Sequence, residues 1–168
     1  EAIHVKTDEG WKMDSVREQE FVRPMSNYEQ LQALEWMVGD WVDADDEATV
    51  HTSCRWTKNN NFLTRSFKVF VEDTIDLEGT QVIGWDPVRK TIRSWMFDSA
   101  GGFGVDAWSN EGDRWTVRTL NVLSDGRQGS VTTVYELLDE NTLQVHTIGR
   151  QVGGDLLPNV GPLKVVRQ

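Results

Sequence analysis

Cysteine is almost absent from this chain of 168 residues, and Cys54 is its one example. A single cysteine cannot form an internal disulfide, but a chain of this length can bury a hydrophobic core without one. Cys54 lies in the strand-like segment "HTSCRW", where we expect a buried structural thiol. His51 would face the opposite side of a regular strand, which disfavours a catalytic pair of these two residues.

Basic charge and long hydrophobic runs are also scarce. The chain has 17 basic and 27 acidic residues, a formal charge of −10, so we predict no nucleic-acid partner. No apolar run approaches the roughly 20 residues of a membrane span, and we predict no membrane partner. The first residues, "EAIHVKTDEG", lack a basic start and an apolar core, so we expect a soluble chain with no signal peptide. The compartment stays open: the full-length parent could be cytoplasmic or exported.

Motifs for metal or cofactor chemistry are missing too. The three histidines are scattered, whereas a zinc site needs several converging ligands. The acidic run "DADDE" (43–47) lacks the spacing of a calcium loop and is expected to form a solvated turn. The sequence has neither a Gly-x-Ser-x-Gly elbow nor a dinucleotide-binding glycine motif. We therefore predict no metal and no cofactor.

The sequence contains one helical pattern, over Ser26–Val38. Ser26 and Glu29 fit a capping box, in which each residue satisfies a backbone N–H group of the first turn. Leu31, Leu34 and Val38 then recur at helical spacing. This pattern predicts one short helix, ending just before Gly39.

The rest of the chain is typical of β-structure. Strand-like runs alternate with turn signals at 47–58, 61–72, 76–85, 90–97, 101–109, 113–123, 128–138, 142–152 and 162–168. Many short strands at regular spacing favour an antiparallel barrel or sandwich, and the lack of βαβ alternation disfavours a doubly wound sheet. The predicted fold class is all-β.

The N-terminal residues form a separate pattern. Residues 2–7 and 11–16 are strand-like and flank the turn "DEG", which predicts a β-hairpin. A polar connector, "REQEFVRPMSN", separates this hairpin from the helix. We expect the unpaired edges of the hairpin to seek another sheet edge, in this chain or in a second copy, so we predict a homo-oligomer formed through it.

The residues after the helix resemble the start of a lipocalin-like (calycin) barrel. Gly39–Asp40–Trp41 matches the Gly-x-Trp entry to the first barrel strand. In that superfamily the Trp plugs the closed end of the barrel, and an Arg near the last strand stacks over it. The resemblance implies that Trp41 and Arg167 are structural partners in a lipocalin-like antiparallel barrel.

A longer segment resembles one particular group of barrels. "GTQVIGWDPVRKTIRSWMFDSAGGFG" is similar to the central hairpin of a bacterial lipocalin-like domain that follows a SnoaL-like (NTF2-like) domain in proteins of the SgcJ/EcaC type. "GWKMDSVRE" is similar to the last strand of a SnoaL-like domain. The resemblance implies two parts: residues 1–22, the tail of a SnoaL-like domain, and residues 26–168, a lipocalin-like barrel.

The same segment holds residues that we predict to be structural. Pro87 presets the bend of the "WDPVR" turn. Gly101, Gly102 and Gly104 let the backbone bend sharply or approach another group closely, as at a barrel corner. A ligand lying against these glycines is the alternative.

Alternation along the strands assigns side chains to the barrel interior. On 61–70, the more apolar face carries Leu63, Arg65 and Phe67, which places an Arg inside the barrel. An interior Arg is costly unless it is paired or binds an anion. The same reasoning places Arg93 beside two aromatic residues in the interior. The predicted ligand-binding residues are Arg65, Phe67, Gln81, Trp85, Arg93, Trp95, Phe97 and Phe103.

Three classes of function remain open at this point. The first is a module that binds a small apolar or amphipathic ligand, with an anionic ligand as one alternative, and assists a SnoaL-like domain. The second is an enzyme of isomerase, cyclase or hydrolase type with polar residues inside the barrel, and the third is a structural or oligomerisation barrel without a ligand. A cavity of several hundred Å³ favours binding, an interior carboxylate or His with a shifted pKa favours catalysis, and a solidly packed barrel favours the third class.

Overall fold

The computed structural model describes residues 2–16, 23–44 and 48–168. Residues 45–47 of the acidic run and residues 17–22 of the polar connector lie outside the described residues. The strands are β1 (Ala2–Thr7), β2 (Gly10–Val16), β3 (Gly39–Ala44), β4 (Thr49–Trp56), β5 (Phe62–Val71), β6 (Thr74–Asp86), β7 (Thr91–Asp98), β8 (Phe103–Glu111), β9 (Arg114–Val122), β10 (Gln128–Asp139), β11 (Thr142–Val152), β12 (Asp155–Leu156) and β13 (Val160–Arg167). The helical segment is α1 (Asn27–Leu31), followed by a 3₁₀ helix (Gln32–Met37).

Ten of the strands form a closed antiparallel barrel. Each strand from β3 to β10 pairs with the next strand in the chain, so the run ends with β10 paired to β11. Strand β11 then pairs with β13, and β13 pairs with β3, which closes the barrel. The short strand β12 pairs with β11 and, in the part of the chain that the structure describes, with no other strand. The fold is therefore all-β, with one short helical segment and a leading hairpin, which confirms the predicted fold class.

Local turn chemistry sets the register of the hairpins. Between β6 and β7, the Asp86 carboxylate accepts the backbone N–H groups of Val88 and Arg89, both at 3.0 Å, while Pro87 lies inside the turn. Between β7 and β8, the Asp98 carboxylate accepts the backbone N–H of Gly102 at 2.8 Å. A Cβ atom at Gly102 would lie 2.5 Å from an oxygen of that carboxylate, so a larger residue here would have to displace the Asp98 side chain.

The helical segment differs from the predicted continuous helix. The capping box is present: the Ser26 side chain accepts the Glu29 N–H, and the Glu29 side chain accepts the Ser26 N–H. The α-helix nevertheless ends at Leu31, where a 3₁₀ helix takes over. The buried residues are Leu31, Leu34 and Met37, spaced by three as a 3₁₀ helix requires, whereas Val38 is only partly buried.

This helical segment plugs one end of the barrel. Its three buried side chains belong to one hydrophobic cluster with barrel residues of β4 to β9: Cys54, Leu63, Ile83, Ile92, Trp108, Trp115 and Val117. Cys54 is 1 % exposed, and its burial raises the pKa of the thiol to about 11. The thiol is therefore protonated near neutral pH, as expected of a structural cysteine.

Trp41 and Arg167 meet beneath this plug. Trp41 is 4 % exposed and donates its indole N–H to the carbonyl of Met37 at 3.0 Å. The guanidinium of Arg167 lies 4.2 Å from the centroid of the Trp41 ring. Gly39 makes this approach possible, because its φ is +134° and a Cβ atom there would collide with Arg167. Trp41 and Arg167 are thus in direct contact, the first on the first barrel strand and the second on the last.

The N-terminal hairpin is a sheet of its own. Strands β1 and β2 pair only with each other among the described residues, and the described side chains of both strands are exposed. In the same part of the chain, no helix has the length and apolar character needed to cross a membrane.

Candidate functional site

A chain of buried polar side chains lies on the inner face of the neighbouring strands β6, β7 and β8. Gln81, Ser94 and Asp106 are 5 %, 0 % and 2 % exposed. The amide nitrogen of Gln81 donates to the Ser94 Oγ at 3.0 Å and to the Asp106 carboxylate at 2.7 Å. Ser94 also donates to Asp106 and accepts the indole N–H of Trp108 at 2.8 Å. These bonds compensate for the loss of water around a buried carboxylate.

Arg65 extends this chain from β6 through β5 to the neighbouring strand β4. Its guanidinium donates to the Gln81 side-chain oxygen and to the Thr52 Oγ1, both at 3.4 Å. Gln81 thus bridges the Arg65 guanidinium and the Asp106 carboxyl group. The prediction that Arg65 lies inside the barrel is correct.

A cavity of about 80 Å³ lies beside Arg65, between the helical plug and the strands β3, β4, β5, β10, β11 and β13. Its lining comprises Trp36, Met37, Trp41, Asp43, Val50, Thr52, Arg65, Tyr135, Leu143, Val145 and Val165. This volume is far below the roughly 300–1,000 Å³ of sites for drug-sized ligands. It suits a small molecule or several waters.

Aromatic rings form one side of this cavity. Trp36 and Tyr135 both line it, with ring centroids 5.7 Å apart. Tyr135 in turn stacks on Trp108 with an interplanar angle of 2°, and Trp115 packs edge-on against Trp108. The indole N–H of Trp36 is buried and has no hydrogen-bond acceptor among the described residues.

Four of the eight predicted ligand-binding residues face the barrel interior. Arg65 lines the cavity, and Gln81 lies in the buried polar chain. Phe67 shares the inward face of β5 and lies against Gly79, where a Cβ atom would meet its ring. Trp85 packs against the hydrophobic core under the plug rather than against the cavity.

The other four lie on the outer face of the sheet. In β7 the buried side chains are Ile92 and Ser94, so the structure corrects the expected orientation of this strand. Arg93 is 3.7 Å from Asp86 and its guanidinium is 5.9 Å from the centroid of Trp95. Trp95, Phe97 and Phe103 are 37 %, 58 % and 50 % exposed and form an apolar outer patch with Phe62 and Leu120.

The predicted structural glycines lie in and after the β7–β8 turn. Gly101 has a φ of +91°, and Gly102 packs against Asp98. Gly104 is buried on the inward face of β8, where a Cβ atom would lie 3.2 Å from the Cβ of Asn121. These contacts are with the protein's own atoms and give the glycines a local packing role.

Several residues of the site escaped the sequence analysis. Ser94 and Asp106 are polar, and alternation assigns polar residues to the outside unless their partners are known. Trp36 lies in the helical segment, outside any strand pattern. Alternation along β8 places Asp106 on the same face as Gly104 and Trp108, and this shared face is the sequence signal for an inward-facing carboxylate.

Metal ligands do not converge in this region. His51 is exposed and packs edge-on against Phe70 at 5.3 Å, away from Cys54. Among the residues that the structure describes, no group of three or more His, Cys, Asp or Glu side chains is placed to hold a metal ion.

Comparison with known proteins gives no family assignment. No protein-family model matches the chain, and no curated protein matches its sequence.

Proposed function

We propose that this barrel binds a small molecule in the cavity beside Arg65. The observation that carries the proposal is the cavity itself: a closed barrel, plugged at one end, leaves about 80 Å³ lined by aliphatic and aromatic side chains with one interior guanidinium. A few polar groups in a mainly apolar concave lining are typical of ligand sites. The volume restricts the ligand to a few non-hydrogen atoms rather than a lipid or a drug-sized molecule.

The buried carboxylate supports binding over catalysis. Asp106 does not line the cavity, and its partners Gln81 and Ser94 hold it in a fixed arrangement. A general acid or base must reach the reacting atoms of a bound substrate. Asp106 is therefore a fixed member of the buried polar chain rather than a group that meets the ligand.

We further propose that the barrel is accessory to a SnoaL-like domain and forms homo-oligomers through its hairpin. The support is the hairpin: its described side chains are exposed, including Trp11 at 70 % and Met13 at 59 %. A two-stranded sheet is marginally stable alone and needs a packing partner. The barrel offers few edges, because its ten strands close on themselves.

Ligand binding is tested by thermal unfolding of the full chain with a panel of small apolar and amphipathic molecules. The variant Val145→Phe fills the cavity, and the matched variant Val105→Phe adds the same bulk on the outer face of β8. We expect at least one compound to raise the melting temperature of the wild type and of Val105→Phe, but not of Val145→Phe. Equal shifts in both variants, or no shift across the panel, would refute the proposal.

A further inference from the structure

We propose that the N-terminal hairpin of one copy of this chain docks on the apolar outer patch of a second copy's barrel. The inference rests on the proposed oligomer, and it names the surface that the hairpin meets. The apolar outer patch comprises Phe62, Trp95, Phe97, Phe103 and Leu120. The patch and the hairpin are two exposed apolar surfaces of one chain, and in the structure neither covers the other.

The apolar outer patch is one continuous surface across β5 to β9. The strand-paired residues that build it are Phe97 with Phe103, Trp95 with Val105, and Val105 with Leu120. Phe62 joins them across Gly84, because the rings of Phe62 and Trp95 both lie beside this glycine, where a Cβ atom would be. Contiguous apolar patches mark interaction sites, whereas single exposed apolar residues are ordinary.

A groove in this patch has room for a large side chain. Its volume is about 210 Å³, and the outward-facing apolar side chains that line it are Phe103, Val105, Leu120 and Val122. Trp is among the residues that most often serve as anchors in the pockets of protein interfaces.

The hairpin presents such an anchor. Trp11 is 70 % exposed and Met13 is 59 % exposed. Trp11 pairs with Lys6, and Met13 pairs with His4. Since directly paired residues share a face of a sheet, Trp11 and Met13 project together, flanked by basic side chains that can lie over aromatic rings.

Charge favours the contact at one border of the patch. Arg118 lies two residues before Leu120 on the outer face of β9 and forms no ion pair with another described residue. The hairpin turn carries Asp8 and Glu9, close to Trp11. Alternate residues of a strand are about 7 Å apart, so a hairpin that seats Trp11 beside Leu120 can place its acidic turn against Arg118.

The position of the connector allows two copies to exchange hairpins. The chain enters the barrel beside the patch, because the Asn27 side chain donates to that of Asn61, the residue before Phe62, at 3.2 Å. Each copy can therefore send its hairpin to the patch of the other around a twofold axis.

Reciprocal exchange also supplies enough contact area. Strands of six and seven residues give the hairpin a face of about 20 Å by 10 Å. Two such contacts bury on the order of 1,000 Å² over both copies, which a specific interface needs and a single contact would not reach. The dimer is therefore symmetric.

Sedimentation velocity of the full chain over a range of concentrations measures this dimer. Trp11→Ser removes the anchor, and Leu120→Glu places a negative charge in the groove; both side chains are exposed, so the barrel keeps its fold. We expect each variant to raise the dissociation constant at least about tenfold. The matched controls are Ile3→Ser, on the other face of the hairpin, and Leu138→Glu on β10, and neither is expected to change it.

Cross-linking locates the contact independently of these variants. Cys54 is 1 % exposed, so it does not compete for a thiol reagent. Met13→Cys chains are mixed with ¹⁵N-labelled Leu120→Cys chains and treated with a short bismaleimide. We expect mass spectrometry to show a covalent heterodimer, and Ile3→Cys in place of Met13→Cys to give much less of it.

The outcomes separate this inference from the proposed function. A dimer that Trp11→Ser weakens but Leu120→Glu does not, with no heterodimer trapped, would overturn the patch as the docking site and leave the hairpin as the oligomer contact. A full chain that is a monomer at every concentration would overturn both the docking and the proposed oligomer, and it would leave ligand binding in the cavity untouched.

Discussion

Arg167 is the side chain on which the closed end of the barrel depends. Besides stacking over Trp41, its guanidinium donates to the backbone carbonyls of Val38, Trp36 and Glu140, the last two at 3.1 and 3.3 Å. These carbonyls belong to the end of the 3₁₀ helix and to the turn before β11. The Arg167 side chain, which belongs to the last barrel strand, therefore connects that strand to the helical plug and to the first barrel strand.

Replacement of Arg167 is predicted to destabilise the whole fold. Arg167→Met keeps an apolar stem but leaves three carbonyl groups without their donor and removes the cation over Trp41. We expect the free energy of unfolding to fall by on the order of 3 kcal/mol, measured by chemical denaturation.

The matched control for this change is Arg118→Met, because Arg118 is exposed on the outer face of β9. We expect a change within about 0.5 kcal/mol for the control. Equal effects of the two substitutions would show that the Trp41–Arg167 pair does not hold the plug in place.

The helical segment is the element whose start is most clearly specified. The Glu29 carboxylate accepts the Ser26 N–H at 2.7 Å and the Arg23 guanidinium at 2.6 Å. These hydrogen bonds, led by that from the Ser26 backbone, hold the pKa of Glu29 below its ordinary value of 4.5. The folded state favours the charged form of Glu29. This carboxylate therefore stabilises the protein when the pH is above the ordinary carboxyl pKa, and the stabilisation is lost as the pH falls through the lowered pKa of the folded state.

We therefore predict a pH-dependent effect of Glu29→Gln. Near neutral pH the variant should be less stable than the wild type, and the difference should shrink as acid protonates Glu29 in the folded state. Chemical denaturation across the acid range measures it. In a Ser26→Ala background the difference should be smaller, because one of the bonds to the carboxylate is gone.

A difference that stays constant from neutral pH to acid would contradict the assignment. It would mean that the charge of Glu29 adds nothing to the cap, and that the glutamine side chain fails for steric reasons.

The strands differ in how well alternation predicts their faces. In β5 the inward face carries Leu63 and Phe67 beside Arg65. The two apolar side chains make it the more hydrophobic face, so alternation assigns it correctly to the interior. In β7 the inward face carries Ser94, whereas the outer face carries two aromatic residues. Hydrophobicity favours the wrong face there, because the burial of Ser94 is compensated by Asp106 and Trp108, which come from the next strand.

For the molecule as a whole, the hairpin is predicted to be dispensable for the barrel. Within the described ranges, strands β1 and β2 pair with each other and with no other strand, and their described side chains are exposed. Deletion of residues 1–22 should therefore change the melting temperature of the barrel by less than about 2 °C. If the hairpin joins copies of the chain, light scattering should show the deletion variant as a smaller species than the full chain.

Two results would go against this prediction. A large loss of thermal stability would mean that the hairpin supports the barrel fold. A full chain that is already a strict monomer would remove the proposed oligomer while leaving the barrel as described.

Interactions between residues close in the chain could be predicted from the sequence: the capping box of Ser26 and Glu29, the turn at Pro87, and the strand-like runs separated by turn signals. The resemblance of Gly39–Asp40–Trp41 to a barrel entry added the pairing with Arg167. The site was decided by tertiary structure, because strand pairing brings Gln81, Ser94 and Asp106 together across three strands, and the packing of the helical segment on the barrel makes Trp36 line the same cavity as Arg65. The free-energy cost of burying a polar group depends on hydrogen-bond partners that are distant in sequence. Strand pairing determines which of these partners meet.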